Sequence, residues 1–148
     1  MDAPGQKRWL RAVILLGALY LIIGVTFAAL AGLAATTQMR IACRLGAWLI
    51  SAAAFVTHVW HEQFRRGNLP VTTALHASWA AALGAFGLAV AANLHAHWTG
   101  SGNQHLLALA LVTFPAITAV PAFVVAVAIA TVLARTRRRN LKSAERRI

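Results

Sequence analysis

Acidic residues are the scarcest chemical group in this sequence. Only three of its 148 residues are Asp or Glu, against fourteen Lys and Arg. Acid–base catalysis by paired carboxylates therefore has almost no residues to draw on. No phosphate-binding loop, nucleophile elbow or kinase signature occurs either. We therefore expect that the protein is not an enzyme.

Cysteine is almost absent as well. The single cysteine, Cys43, excludes an internal disulfide and any zinc or iron–sulfur site built from several cysteines. One cysteine leaves the redox compartment undetermined.

Charged residues of both signs together make up 11% of the chain, whereas soluble domains carry roughly a quarter. Hydrophobic residues make up 59%, and the mean hydropathy is +0.66. A hydrocarbon layer about 30 Å thick needs about 20 apolar residues per helix. Four segments meet this length, at about 12–35, 41–64, 70–97 and 105–134. We predict an all-α, integral membrane four-helix bundle that forms a single domain over 1–148.

The first segment resembles a secretory signal in one respect, because the basic residues Lys7, Arg8 and Arg11 precede it. Its apolar run is much longer than the roughly 7 to 15 residues of a signal's hydrophobic region. We therefore predict a retained helix.

The basic residues predict the orientation of the four segments. Twelve of them, including seven in the tail 135–148, flank the side that holds both termini and the second loop; Arg40 and Arg44 flank the other side. Basic residues near span ends collect on the cytoplasmic side. We predict an inner (plasma) membrane protein with both termini cytoplasmic, and no nucleic-acid partner. Anionic lipid head groups are expected at Arg135, Arg137, Arg138, Arg139 and Lys142.

Small residues at helical spacing predict the contact faces between spans. The first span has Gly24, Ala28 and Gly32 at successive i+4 steps, and the third has a stripe from His76 through Gly84 and Gly87 to His95. The second span carries a polar stripe that contains Arg44, Ser51 and His58. Because polar groups facing lipid are unfavourable, we expect that stripe to face an oligomer interface or the inside of the bundle, where it would pack against the small residues of the third span.

The segment between the second and third spans predicts a tight turn. Arg65 and Arg66 suit a last helical turn, Gly67 suits the left-handed residue after it, and Pro70 suits a first helical position. His58 and His76 are each nine residues from Gly67, so both should lie at the same depth.

Two prolines, Pro115 and Pro121, interrupt the fourth span. Each removes a backbone hydrogen bond, which predicts a helix that is kinked or broken there. Thr113 and Thr118 are expected to donate to the freed carbonyls.

A speculative metal or haem site is predicted near the turn. His58, His61 and Glu62 share one helix face, and His76 lies across the turn. These donors suit a divalent metal such as zinc, and His58 with His76 suits the axial pair of a haem b. The order HVWHE is not the HExxH motif of zinc proteases. The alternative is structural: Glu62 pairs with Arg66 four residues on, and the histidines only pack.

A weaker metal candidate lies on the opposite side, at His95, His97 and His105. His95 and His97 point about 200° apart on a continuous helix. This site therefore requires the third helix to end between them.

Three functions follow from these patterns. The first is a non-enzymatic accessory or oligomer-forming bundle, whose partners are itself or other membrane subunits and which needs no cofactor. The second is a haem-binding or metal-binding membrane protein that uses His58 and His76. The third is a small transporter or channel along the Arg44, Ser51 and His58 stripe.

Overall fold

Four long α-helices make up nearly all of the part of the chain that the computed structural model describes, namely residues 3–66 and 69–145, with side chains for 9–64 and 69–136. Their bounds are Ala3–Leu33 (α1), Thr37–His61 (α2), Pro70–Thr99 (α3) and Gln104–Glu145 (α4). A π-helical turn, Glu62–Arg66, follows α2 without a break.

Each helix contains a segment that is long and apolar enough to cross a membrane. The segments are Trp9–Leu33, Thr37–Phe64, Pro70–Thr99 and Gln104–Thr136, and the most apolar 18-residue stretch of each has a mean hydropathy of 2.6, 1.4, 1.5 and 2.5, in that order. All exceed the roughly 20 residues that a bilayer core requires. The four predicted spans are confirmed, and the chain has the character of a multi-pass membrane protein. The α1 helix begins earlier than predicted, and α4 continues through most of the basic tail.

The helices alternate in direction, so the bundle has two ends. The start of α1, the end of α2, the start of α3 and the end of α4 meet at one end, which we call the Glu62 end. The other, which we call the Arg40 end, holds the α1–α2 and α3–α4 connections.

The central helix is α3. It packs mainly against α4 and α1, whereas α2 packs mainly against α1 and only sparsely against α3. In the most apolar stretch of α3, 39% of the residues are buried. In the corresponding stretch of α2, which lies wholly in the described part of the chain, none is buried. The predicted seam between α2 and α3 is therefore wrong.

Glycines explain why α1 takes that place beside α3. A Cβ atom at Gly84 would lie 2.6 Å from the Cβ of Tyr20 and 3.2 Å from the carbonyl oxygen of Gly17, and a Cβ at Gly87 would lie 3.0 Å from Leu21. The two backbones approach this closely because no side chain stands between them. In α1 the contact uses Gly17 and Gly24, while Ala28 and Gly32 are exposed.

The helix ends follow local chemistry. The Thr36 side chain accepts a hydrogen bond from the Met39 backbone at 3.2 Å and caps α2. Pro70 begins α3 as predicted, while Gly67 lies outside the described residues. The α3 helix ends at Gly100, whose φ of 64° is the left-handed conformation that glycine adopts most readily.

The fourth helix continues through both prolines, so the predicted break is wrong. A bend of its axis stays a prediction. The carbonyls that the prolines free belong to Leu111 and Ile117, four residues before each. Thr113 and Thr118 instead donate to Leu109 and Phe114, at 3.1 and 2.8 Å, so the expected repair is also wrong.

Candidate functional site

Small side chains build the floor of a polar site at the Glu62 end. Val59, Ala74, Ala77, Ala126 and Ala130 form one fully buried cluster from α2, α3 and α4. Four of the five are alanines, so the three helices approach closely enough to exclude solvent and lipid.

Glu62 follows Val59 of this floor by three residues, at the point where α2 continues into the π-helical turn. Its side chain is 1% exposed, although it is the only acidic residue between Asp2 and Glu145. Its backbone N–H donates to the carbonyls of His58 and Val59. Single π-helical turns often mark functional positions, because the wider turn redirects a side chain.

His76 is the partner of Glu62 across the α2–α3 connection. The imidazole Nδ1 lies 3.0 Å from the carboxylate Oε2, and the His76 side chain is 15% exposed. When Nδ1 carries the proton it donates to the carboxylate, which leaves Nε2 as an acceptor. A hydrogen bond of this kind fixes both the ring orientation and the tautomer of a histidine.

Trp9 brings the first helix to the same point. Its ring centroid lies 5.3 Å from that of His76, with 41° between the ring planes. Trp9 is half-buried, so it packs within the bundle. His76 therefore joins α1, α2 and α3 at one position.

Several buried polar atoms lie near this pair, Trp9 through its ring contact with His76 and Gln63 and Thr73 through the sequence. The Trp9 Nε1, Gln63 Oε1 and Thr73 Oγ1 atoms have no hydrogen-bond partner in the part of the chain that the structure describes. Gln63 follows Glu62, and Thr73 precedes His76 by one helical turn on the same face. Buried polar atoms nearly always take a hydrogen bond, so the surroundings of the Glu62–His76 pair favour further polar contacts.

The predicted metal site is assembled only in part. The structure brings Glu62 and His76 together and places His58, half-buried, one helical turn before Glu62, but His61 is exposed. Among the described residues, no three His, Cys, Asp or Glu side chains are arranged to hold a metal ion. The predicted partner of Glu62 in the structural alternative, Arg66, has a side chain outside the described residues.

The condition for the second metal candidate is not met. The α3 helix continues past His97 to Thr99, so His95 and His97 point to different sides. Both are exposed, as is His105 in the first turn of α4. Asn103 caps α4 here, accepting from the His105 backbone at 3.0 Å.

The remaining predicted residues lie apart from this site. In the polar stripe of α2, Arg44 is exposed, while Ser51 and His58 are half-buried. Arg135 is exposed near the end of α4. The other predicted lipid contacts have side chains outside the described residues: Arg137, Arg138, Arg139 and Lys142.

Open grooves lie on the outer surface of the described part of the bundle. An apolar groove of about 680 Å³ lies between α1 and α4, with α3 at its base. Its walls include Trp9 and Ile14 of α1, Trp79 and Phe86 of α3, and Val112 and Pro115 of α4. A second groove, of about 560 Å³, lies between α1 and α2 toward the Arg40 end.

Sequence reasoning located Glu62 and His76 but missed Trp9 and the π-helical turn. Trp9 and His76 are far apart in the sequence, so no local spacing relates them. The scarcity of acids gave a usable signal: an acidic residue inside a predicted span is expected to be buried and paired.

Comparisons with protein-family models, with curated proteins and with solved structures found no match for this chain.

Proposed function

We propose that the protein is a non-enzymatic accessory bundle of the inner (plasma) membrane that associates with itself or with another membrane-spanning chain. The apolar groove between α1 and α4 supports this proposal. It exposes the central helix, including Trp79 at 61% and Phe86 at 45% exposure.

Shape is the reason for expecting a helix in that groove. Within a bilayer, helices associate by close van der Waals packing and not by leaving water. In a concave surface formed by three helices, a partner helix can make contacts on three sides. It would make fewer contacts against the exposed side of a single helix. The aromatic rings at its base add large rigid contact areas.

Site-directed disulfide cross-linking in native membranes tests this proposal. In a Cys43→Ser background, which is free of cysteine, Val112→Cys places a thiol on the groove wall. Val124→Cys is the matched control, because both valines are exposed residues of α4 and only Val112 lines the groove.

We expect oxidation to produce a cross-linked species from Val112→Cys and not from Val124→Cys. The mass of the cross-linked species distinguishes a dimer of this chain from a complex with a different chain. Equal cross-linking at both positions would contradict a specific interface.

A second candidate function is binding of haem b or a divalent metal through His76. The 3.0 Å contact between Glu62 and His76 Nδ1 favours it, because a ligating histidine commonly holds its other nitrogen against a carboxylate. His58 remains the proposed second ligand, and a metal would supply charge or redox chemistry at this end of the bundle.

The visible spectrum and metal content of the protein, purified in mild detergent, test this second candidate. A Soret band or stoichiometric metal should disappear in His76→Ala and persist in His97→Ala, which removes an exposed histidine at the other end. A wild-type protein with neither signal rejects the candidate.

The transport hypothesis along Ser51 and His58 stays a prediction. A proteoliposome flux that His58→Ala and Pro121→Ala leave unchanged would remove its basis.

A further inference from the structure

The groove between α1 and α2 combines a charged part and an apolar part. Arg40 and Arg44 of α2 line it together with Ala47, while Gly24, Ala28 and Gly32 of α1 line the facing wall. The two arginines lie in the first turns of α2, and the small residues of α1 continue from there toward the middle of the bundle.

The sequence has no acidic residue between Asp2 and Glu62 or between Glu62 and Glu145, so the α1–α2 connection, the first turns of α2 and the α3–α4 connection contain none. Arg40 Nε donates to the Ala34 carbonyl at 3.3 Å, which holds that guanidinium beside the α1–α2 connection. A guanidinium has five N–H donors, so the bond to Ala34 leaves most of the Arg40 donors for a ligand. Among the described residues, no carboxylate forms an ion pair with Arg40 or Arg44.

The positions of Arg40 and Arg44 along α2 place both residues near the head-group layer. The span Thr37–Phe64 has 28 residues and is therefore about 42 Å long at 1.5 Å per residue, against a hydrocarbon core of about 30 Å. About 6 Å then extends beyond the core at each end. Arg40 lies about 4.5 Å and Arg44 about 10 Å from the start of α2. Because helical side chains lean toward the N-terminus, both guanidinium groups reach toward the head groups.

We propose that this groove is a binding site for one anionic phospholipid, whose phosphate lies between Arg40 and Arg44 and whose acyl chain lies along Gly24, Ala28 and Gly32. Guanidinium groups bind phosphate through charge-assisted, often bidentate hydrogen bonds. The order of the groove, charged near the surface and apolar at depth, matches the order of a phospholipid. This site lies in the leaflet opposite the basic tail.

The test measures phosphatidylglycerol retained by the full chain from mixed detergent micelles, by native mass spectrometry. We expect one tightly retained lipid, bound in preference to phosphatidylcholine. Arg40→Gln with Arg44→Gln should weaken that binding at least about tenfold, because two charge-assisted contacts are lost. Arg11→Gln removes one exposed arginine at the other end and should leave the tightest lipid in place.

A steric variant tests the same site with its charges intact. Nothing lies within 4 Å of a Cβ built at Gly32, so Gly32→Leu combined with Ala28→Leu should fold and fill the apolar part. We expect the same loss of phosphatidylglycerol. Arg40→Lys with Arg44→Lys keeps the charges but loses the bidentate geometry, so it should retain more phosphatidylglycerol than the Gln variant and less than the wild type. This variant keeps the charge test usable if the Gln variant does not fold.

Three results would overturn the proposal. Phosphatidylglycerol binding could be unchanged in both the Gln and the Leu variants, or phosphatidylcholine could bind equally well. Alternatively, the Leu variant could abolish an oligomer while lipid binding stays constant, in which case a second copy of the chain occupies the groove.

Discussion

At the scale of single residues, Glu62 is the position with the most specific chemistry. A carboxylate inside an apolar bundle is unfavourable unless another group compensates it, and the His76 imidazole at 3.0 Å does so. The sequence identified both residues and placed them at a similar depth. Their contact, and the tilted ring contact of Trp9 with His76, depend on how three helices meet.

Glu62→Ala should destabilise the protein by about 1 to 3 kcal/mol, because it leaves the half-buried His76 donor without its acceptor and opens a small cavity. The free energy of unfolding in mild detergent checks this. Glu62→Gln keeps an amide oxygen that can accept from Nδ1 and should lower the stability less.

His61→Ala is the matched control for that prediction, because His61 is the residue before Glu62 and is exposed. Its stability should equal that of the wild type. An equal loss in His61→Ala and Glu62→Ala would show that the effect belongs to the helix end and not to the buried pair.

At the scale of elements, the contact between α1 and α3 decides the arrangement of the bundle. The sequence correctly indicated that Gly84 and Gly87 form a contact face, but it assigned that face to α2. Gly17 and Tyr20 of α1 occupy it instead. The spacing of residues within one helix shows which face carries small side chains. Which helix packs against that face depends on the shapes of all the other helices.

Gly84→Ala should destabilise the bundle by about 1 to 3 kcal/mol, since its Cβ would lie 2.6 Å from the Cβ of Tyr20, a rigid part of that side chain. Thermal unfolding in detergent measures the change.

Gly32→Ala provides the comparison, because a Cβ there meets no atom within 4 Å. That substitution should be neutral or stabilising by up to about 1 kcal/mol, since alanine favours helix more than glycine does. Similar destabilisation at Gly32 and Gly84 would contradict a specific α1–α3 contact.

At the scale of the whole molecule, the uneven distribution of basic residues predicts the orientation in the membrane. The Glu62 end has twelve basic residues in or beside its connections and termini, and the Arg40 end has two. Basic segments resist translocation, so the Glu62 end should be cytoplasmic.

Labelling with a membrane-impermeant thiol reagent checks this orientation. In the Cys43→Ser background, Ser101→Cys lies in the exposed connection between α3 and α4, and Leu69→Cys lies exposed at the start of α3. Intact cells should label Ser101→Cys, while Leu69→Cys should react only after lysis. The reverse pattern would place both termini outside.

The sequence by itself determined the all-α fold class, the four helices of membrane-spanning length and the start of the third helix at Pro70. Each of these depends on local quantities, namely apolar length and the missing N–H of Pro70. Only the tertiary structure decided that α3 is central, that α2 is peripheral, and that Glu62, His76 and Trp9 meet. The physical reason is that lipid and apolar side chains are equally good surroundings for an apolar helix, so hydropathy does not choose neighbours. Which helices become neighbours depends on how well their surfaces fit, as at Gly17 and Gly84.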